Sequence, residues 1–354
     1  MPRLLACGSG SIGHLAPLVA ICRALLTLAP STEILISCGM RPEEGEYLRR
    51  EHMPFATLPQ PRRSWSFPQT FLRSYRAACH LLASFQPDLI LSRGGAISVP
   101  LCLAATRKHL PVVLHESDSV MGLATRCTAW WARTITTGFP SENYPLVFRS
   151  RITATGNPVR PEIMRGSREE GLRITRFSGK KPILLALGGS QGAQAINEAV
   201  VHLLPELTKL CDIIHITGPG KRISTPYPLP PISSYWSAEY VHSELPHLYA
   251  SATLALSRAG AGVLSELAAN GVPSIIVPLR GLAQDHQWHN ARFFAQYNAC
   301  ILLEQEEIDR RLVAEIQSMI HHPNICTELG ESFLSLHRPD AARHIAEIVL
   351  KNIA

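Results

Sequence analysis

Pro182-Ile183-Leu184-Leu185-Ala186-Leu187-Gly188-Gly189-Ser190-Gln191-Gly192-Ala193 joins an unbroken apolar run to a glycine-containing turn, and a helical stretch from Gln194 to Leu207 follows. A short apolar run bounded by glycines reads as a strand buried on both faces, the environment of a parallel sheet covered by helices. The same unit recurs in both directions. Ile213 to Thr217, Leu254 to Ser257, Ser274 to Val277 and Cys300 to Leu303 read as further strands downstream. Upstream, the strand Arg3 to Cys7 opens into a Gly/Ser loop and a helix expected over Pro17 to Leu28; Glu33 to Ser37, Asp88 to Ser92 and Val112 to His115 are strands of the same kind. Strands alternating with helices predict an α/β chain whose functional residues gather at strand C-termini.

With 354 residues the chain exceeds one ordinary core, and 46% apolar against 18% charged residues suits two globular domains. The periodicity breaks at Gly156-Asn157-Pro158-Val159-Arg160-Pro161, which places a linker there. The expected division is 1–160, 161–338, and a C-terminal helix over 339–354 that can pack back on the first domain. These are two Rossmann-like parallel-sheet halves facing each other across a cleft. No apolar run nears the ~20 residues of a membrane-spanning helix, and Met1 to Leu5 enters a strand instead of a cleavable signal, so a cytoplasmic location is expected. The nine cysteines lack Cys-x-x-Cys spacing and metal-ligand partners and are read as buried free thiols. The net charge of +6 is uneven: residues 1–163 hold 17 Lys+Arg and 10 Asp+Glu, the rest 17 and 18. Either the first half meets an anionic surface or it carries a solvated basic face.

Three segments of the second half carry chemistry. The turn Gly188 to Ala193 has neither the dinucleotide fingerprint nor the phosphate-loop ending, yet it brings Ser190, Gln191 and backbone N–H groups to a helix N-terminus, where a diphosphate is favoured. A plain tight turn would look the same. Ser257-Arg258-Ala259-Gly260-Ala261-Gly262, before a helical segment from Val263 to Asn270, repeats the arrangement, and Glu266 can accept two ribose hydroxyl hydrogen bonds or merely serve the helix dipole. Asp285-His286-Gln287-Trp288-His289-Asn290 offers the mixed donors and acceptors that sugar hydroxyls need, and no third ligand at helical spacing supports a metal at His286 and His289.

In this order and spacing, Gly156 to Arg160, Gly188 to Ala193, Ser257 to Ala261 with Glu266, and Asp285-His286-Gln287 with Asn290 resemble the MurG family, the lipid-II-forming N-acetylglucosaminyltransferases of peptidoglycan synthesis. The resemblance implies a GT-B fold and inverting transfer of GlcNAc from UDP-GlcNAc to the 4-hydroxyl of MurNAc in undecaprenyl-pyrophosphoryl-MurNAc-pentapeptide. It further implies that Glu266 binds the ribose; that Ser190, Gln191 and the Ala261, Gly262 and Val263 backbone bind the diphosphate; and that His286, Gln287 and Asn290 bind the GlcNAc. Arg160 would lie near the uridine, and the backbone of His242 would read the uracil. No cofactor is required on this reading, and stimulation by a divalent cation is compatible with it. Other occupants of the fold remain alternatives: a glycosyltransferase with a different lipid or aglycone acceptor, or a UDP-GlcNAc epimerase.

The acceptor half departs further from the family. Gly8-Ser9-Gly10-Ser11-Ile12-Gly13-His14 replaces two glycines and a threonine of the family loop, Gly94-Gly95-Ala96 lacks its tyrosine, and His115-Glu116-Ser117-Asp118 ends in Ser-Asp where the family has Gln-Asn. By the resemblance Gly10, Gly13, Gly94, Gly95, His115 and Glu116 bind the acceptor, while His14, Asp118 and Ser11 are the catalytic candidates. His14 is the base or an acceptor-orienting group, with a structural histidine as the plain alternative. A polyprenyl acceptor requires docking on an anionic membrane from the cytoplasmic face. Arg62, Arg63, Trp65, Phe67, Phe71, Arg73 and Arg76 interleave basic and aromatic residues as interfacial segments do. Trp130 and Trp131 could add to it, with at least one of them expected inside a core. No nucleic-acid motif accompanies the stretch, and nucleic acid is not an expected partner.

Overall fold

The computed structural model describes every residue except Ser11, Arg63, Arg222, 224–233, Leu282 and Ala354. The chain divides into two compact units, Met1–Arg160 with Arg338–Ala354, and Pro161–His337.

Among the described residues the N-terminal unit is built on seven parallel strands: β1 (Arg3–Cys7), β2 (Glu33–Cys38), β3 (Phe55–Thr57), β4 (Leu89–Ser92), β5 (Val112–Glu116), β6 (Thr134–Thr137) and β7 (Ile152–Ala154). Their order is β3-β2-β1-β4-β5-β6-β7. In register, Cys7 of β1 stands beside Ser37 of β2 and Ser92 of β4, so the strands end abreast and their following loops share one edge. Both central strands β4 and β5 are buried along their whole length, as continuous apolar runs require. Helices α1 (Ile12–Leu28), α2 (Pro42–Arg50), α3 (Phe67–Phe85) and α4 (Ser98–Arg107) cover the sheet. The chain's last helix, Ala341–Ile353, returns to this unit, where Ile345, Ala346 and Val349 join Leu18, Ile21 and Leu25 of α1 in one core.

Helix α1 begins five residues earlier than its proline suggests. Proline is favoured at a helix start, which is why Pro17 reads as one in the sequence. Here Pro17 lies inside the helix. Its missing N–H leaves the Gly13 carbonyl without its helical partner, and a side chain from β4's loop, Arg93, turns to that carbonyl. In α3 the buried positions Ser74, Ala78, Leu82 and Phe85 recur every three or four residues, so one stripe faces the sheet while Phe67 and Leu72 of its first turns stay exposed. Neither tryptophan of the Trp130-Trp131 pair is enclosed, contrary to expectation. Trp130 is 62% exposed, its ring standing edge-on to Phe148, and Trp131 is half-buried.

The C-terminal unit holds six parallel strands among the described residues: β8 (Ile183–Leu187), β9 (Asp212–Ile216), β10 (Tyr235–Ala238), β11 (Leu254–Ser257), β12 (Ser274–Ile276) and β13 (Ile301–Leu302), in the order β10-β9-β8-β11-β12-β13. Strands β8 and β11 lie side by side at its centre, with Leu187 opposite Ser257. The two loops that follow them therefore emerge next to each other. All nine cysteines are free thiols. Burial pushes Cys22, Cys211 and Cys300 up to about 12, which keeps them protonated and unreactive.

Because Ile345 is fully buried between α1 and the sheet, Ile345→Ala leaves a cavity in the N-terminal core. The expected cost is about 3 kcal/mol in urea unfolding, and a variant as stable as the parent would mean that the C-terminal helix contributes no packing.

Candidate functional site

In the C-terminal unit the chain leaves β8 through a turn in which Gly189 and Gly192 take positive φ (78° and 68°) and the Gly192 N–H donates to the Gly189 carbonyl. Side chains are excluded for a second reason. A Cβ on Gly188 would sit 2.1 Å from the Ala193 nitrogen, and one on Gly192 2.1 Å from the Thr217 oxygen. The turn is thus pressed onto the loop after β9. That loop is fixed by Asn197, whose Nδ2 donates to the Thr217 carbonyl (2.9 Å) while its Oδ1 meets His215 Nε2 (3.0 Å); Tyr235 Oη meets His215 Nδ1 (2.9 Å). One tautomer satisfies all three bonds: Nε2 donates to Asn197 and Nδ1 accepts from Tyr235. Burial holds His215 down to about 4, so it stays neutral.

The loop after β11 is fixed from inside. Arg258, buried, donates to the Val277 carbonyl (3.1 Å) and to Gln305 Oε1 (2.6 Å), and Asn290 Nδ2 donates to the Ala259 carbonyl (3.1 Å). Gly260 then caps the helix Ala261–Ala269 with extended backbone and no side-chain acceptor. The first N–H groups of this helix are left to an external acceptor, as are those of Gln194–His202, which also lacks a side-chain cap. The two sites adjoin: a Cβ on Gly189 would lie 3.7 Å from Val263 Cγ2. Ser190 and the Ala261, Gly262 and Val263 backbone are therefore brought together, with Gln191 exposed on the same turn. On the second turn of that helix, Glu266 Oε2 accepts from Tyr249 Oη at 2.9 Å, which aims the carboxylate.

The third segment is a bent loop. Gln284 and Asp285 both adopt left-handed conformations (φ 63° and 53°), a strain that side chains other than glycine rarely accept. Asp285 Oδ1 accepts from the Gly281 N–H (2.6 Å) and Gln287 Oε1 from the Leu279 N–H (3.0 Å), so the loop is closed on itself. His286 begins the helix His286–Gln296 half-buried, whereas Asn290 is fully buried and supports the Ala259 loop. Arg280, which no motif singled out, pairs with both Glu304 oxygens (2.7 and 3.1 Å) and lies 3.5 Å over the Trp288 ring. His242 donates its N–H to Glu244 Oε2 and stacks on Tyr240. Arg160 belongs to the N-terminal unit, where it donates to Glu51 (3.1 Å), a carboxylate that also holds Arg23 (2.7 Å).

In the N-terminal unit the loop after β1 is held by α2. Glu44, buried, accepts from the Gly10 N–H (2.8 Å) and the Gly39 N–H (2.6 Å), and Arg41 donates to the Gly10 carbonyl (2.7 Å). Gly95 must be glycine because a Cβ there would meet Ser9 Oγ at 2.6 Å, so the loops after β1 and β4 touch. Ser11 lies outside the described residues, and His14 is half-buried on the first turn of α1. Arg93, 5% exposed, ties these parts together: Nη1 donates to the His14 carbonyl at 2.9 Å and more weakly to that of Gly13. Around it lie the buried ends of β5. His115 Nδ1 meets Thr136 Oγ1 at 3.0 Å, and burial with the nearby Arg93 charge holds its ring well below the usual range, hence neutral. Glu116 Oε1 accepts the Asp118 N–H (3.0 Å), and the Thr125 hydroxyl lies close enough to the carboxyl to oppose part of the burial effect. Burial, and then the Asp118 charge, push Glu116 up to about 7. Asn157 donates to the Ser117 carbonyl (2.9 Å) and Tyr144 to that of Asp118 (2.9 Å). Among the described residues no group of three or more His, Cys, Asp or Glu could hold a metal.

The Glu116 carboxyl sits above its unfolded range, so its contribution to stability is full below about 4.5 and is lost as pH rises through about 7. His115 varies in the opposite sense but is common to parent and variant. Glu116→Gln should therefore gain on the parent by roughly 3 kcal/mol between pH 5 and 8 in urea unfolding. Arg93→Met removes the counter-charge and should steepen the parent's loss. Parallel curves for parent and Glu116→Gln would contradict the raised carboxyl.

The chain matches the model of the glycosyltransferase family 28 N-terminal domain over residues 4–137 and that of the family 28 C-terminal domain over residues 183–344. It is 30% identical to a protein of Caldanaerobacter subterraneus subsp. tengcongensis over 98% of its length and 99% of the relative's, and 32% identical to one of Lachnoclostridium phytofermentans over 89% of each. Both carry the name UDP-N-acetylglucosamine--N-acetylmuramyl-(pentapeptide) pyrophosphoryl-undecaprenol N-acetylglucosamine transferase. The crystal structure of Acinetobacter baumannii MurG superposes with a TM-score of 0.75 at 22% identity, covering 99% of this chain and 100% of that one. That likeness is one of fold, the two-domain GT-B arrangement of parallel sheets. Matched in both halves and along nearly its whole length, the chain belongs to glycosyltransferase family 28 and, within it, to the family of these N-acetylglucosamine transferases.

Proposed function

We propose that this glycosyltransferase moves N-acetylglucosamine from UDP-GlcNAc to the 4-hydroxyl of MurNAc in a polyprenyl-pyrophosphoryl-MurNAc-pentapeptide, with inversion at the anomeric carbon. The observation that carries the reading is the pair of helix starts without side-chain caps at Gln194–His202 and Ala261–Ala269, adjoining at Gly189 and Val263, in a chain whose full-length relatives bear the name of that transferase. Backbone N–H groups aimed at one spot stabilise the diphosphate as charge builds on the leaving UDP, and they need no reorganisation to do so. Glu266, aimed by Tyr249, takes the ribose hydroxyls. His286 and Gln287, on the strained loop and the helix it opens, take the GlcNAc. Asn290 serves that sugar at one remove, through the Ala259 carbonyl.

On the acceptor side His14 removes the proton of the attacking hydroxyl. Its backbone is held by Arg93, so the ring starts from a fixed first turn. A neutral histidine can act as base near pH 7. Gly10, Gly94 and Gly95 shape the loops that meet the acceptor, the Gly10 backbone being fixed by Glu44 and Arg41, and the Glu116 charge lies close to Arg93. Asp118 is the second candidate base. No helix among the described residues is long and apolar enough to cross a membrane. Docking falls instead to the start of α3, where Trp65 is 92% exposed and Phe67, Leu72 and Arg76 are exposed with it. The enzyme then works as a peripheral protein on the cytoplasmic face of the membrane.

Incubation with labelled UDP-GlcNAc and the MurNAc-lipid acceptor should move label into lipid. Free UDP-ManNAc would indicate an epimerase, and donor left intact would defeat any catalytic reading. His14→Ala should lower kcat by roughly 10²- to 10⁴-fold with KM for UDP-GlcNAc little changed, while Asp118→Asn should keep most of the turnover; a reversal of the two would transfer the base to Asp118. Replacing Trp65 and Phe67 together by serine should weaken sedimentation with anionic vesicles by about tenfold or more, and undiminished binding would remove this surface from membrane docking.

A further inference from the structure

Between the end of β2, the segment before α3 and the first turns of α3, the N-terminal unit carries an open recess of about 530 Å³ lined by the exposed Arg41, Arg62 and Arg73 together with Gln60, Ser66 and Thr70. Its wall is built. Gln60 lies over Gly39, where a Cβ would come within 2.3 Å of Gln60 Nε2 and 2.9 Å of Glu44 Oε2, so glycine lets both side chains close over the backbone. The Arg62 N–H donates to Thr70 Oγ1 at 3.1 Å, which straps the proline-containing segment Pro59 to Arg62 onto the helix. Among the described residues no carboxylate lies within ion-pair distance of the three guanidinium groups. Glu44, on the neighbouring helix, is taken up by the N–H groups of Gly10 and Gly39.

Three unneutralised guanidinium groups around one concavity call for an anion, and their planar forks match carboxylates. Amide and hydroxyl groups beside them match peptide N–H and C=O. Arg41 connects the recess to the chemistry, since its Nη1 donates to the carbonyl of Gly10 in the acceptor loop. We propose that this recess receives the carboxylate-bearing peptide branch of the acceptor, an inference that rests on the transfer reaction proposed above. A bilayer would offer a flat array of phosphates and would engage the projecting Trp65 and Phe67; a recess with hydrogen-bonding walls suits a discrete branch. Arg62 and Arg73 thereby leave the membrane-docking set for acceptor selection.

The test compares two acceptors with the same lipid pyrophosphate in neutral detergent micelles, one with free peptide carboxylates and one with them amidated. The parent enzyme should favour the acidic acceptor about tenfold in kcat/KM. In Arg73→Gln and in Arg62→Gln that preference should shrink toward one. Equal losses on both acceptors would assign the guanidinium groups to the pyrophosphate or to headgroups, and an unchanged preference would also overturn the proposal. Calorimetric binding of the free acidic pentapeptide to the intact protein gives a readout independent of turnover. Binding by the parent that is lost in Arg73→Gln supports the pocket even where no transfer occurs, in which case only the proposed reaction fails; binding that survives in the variant overturns the pocket.

Discussion

The approach of two helix starts at Gly189 and Val263 is the constraint on which the C-terminal unit depends. A parallel sheet sends every strand toward the same edge, so the loops after neighbouring central strands must share space. Here β8 and β11 are those neighbours. Each loop has to turn at once into a helix, and neither helix receives a capping side chain. Serine or aspartate at Ala193 or Gly260 would satisfy the helix ends internally and occupy the backbone donors assigned to the diphosphate in the proposed reaction. The loops are held by other means: the Asn197–His215–Tyr235 network beneath one, and Arg258 with Asn290 beneath the other. Buried polar bonds supply the rigidity while the backbone donors stay available.

The N-terminal unit solves a similar problem with charge. Pro17 interrupts the hydrogen bonding of α1 one turn in, and Arg93 answers the interruption from the loop after β4. An arginine buried to that degree is costly unless opposed, and burial lowers it to about 10. The Glu116 and Asp118 charges oppose it, and the like charge of the two carboxyls in turn helps raise Glu116. The proline's freed carbonyl, an arginine and two acids are thus tied together at one buried site, and Asp118 belongs to it.

Continuous apolar runs made much of the architecture legible. Strands β1 and β11 begin and end where the sequence places them, because a fully buried parallel strand has no polar face to blur its limits. The start of α1 was not legible, since a local rule for proline cannot know that a distant arginine will take up the freed carbonyl. The same holds for the site. Glycine turns announce themselves by composition, and the Gly188–Gly192 turn carries positive φ at Gly189 and Gly192. Arg93, Arg280, Tyr249 and Asn197 do not announce themselves, because each acts on a partner 17 or more residues away. Asn290 was legible as a member of a polar cluster but not as a support for the Ala259 carbonyl.

The uneven charge of the sequence acquires a location once ion pairs are assigned. In the N-terminal unit Arg3 pairs with Glu33, Arg50 with Glu46, and Arg23 and Arg160 share Glu51. These pairs cancel charge where it serves folding, and exposed ones among them contribute little to stability. Arg41, Arg62 and Arg73 have no such partner among the described residues and converge on one recess beside exposed aromatic side chains. A merely solvated basic face would spread its cations to lower their mutual repulsion. Concentrating them at a concavity next to the acceptor loop costs stability that an anionic ligand can offset, which argues that the excess positive charge of this half is directed at a substrate as well as at a surface.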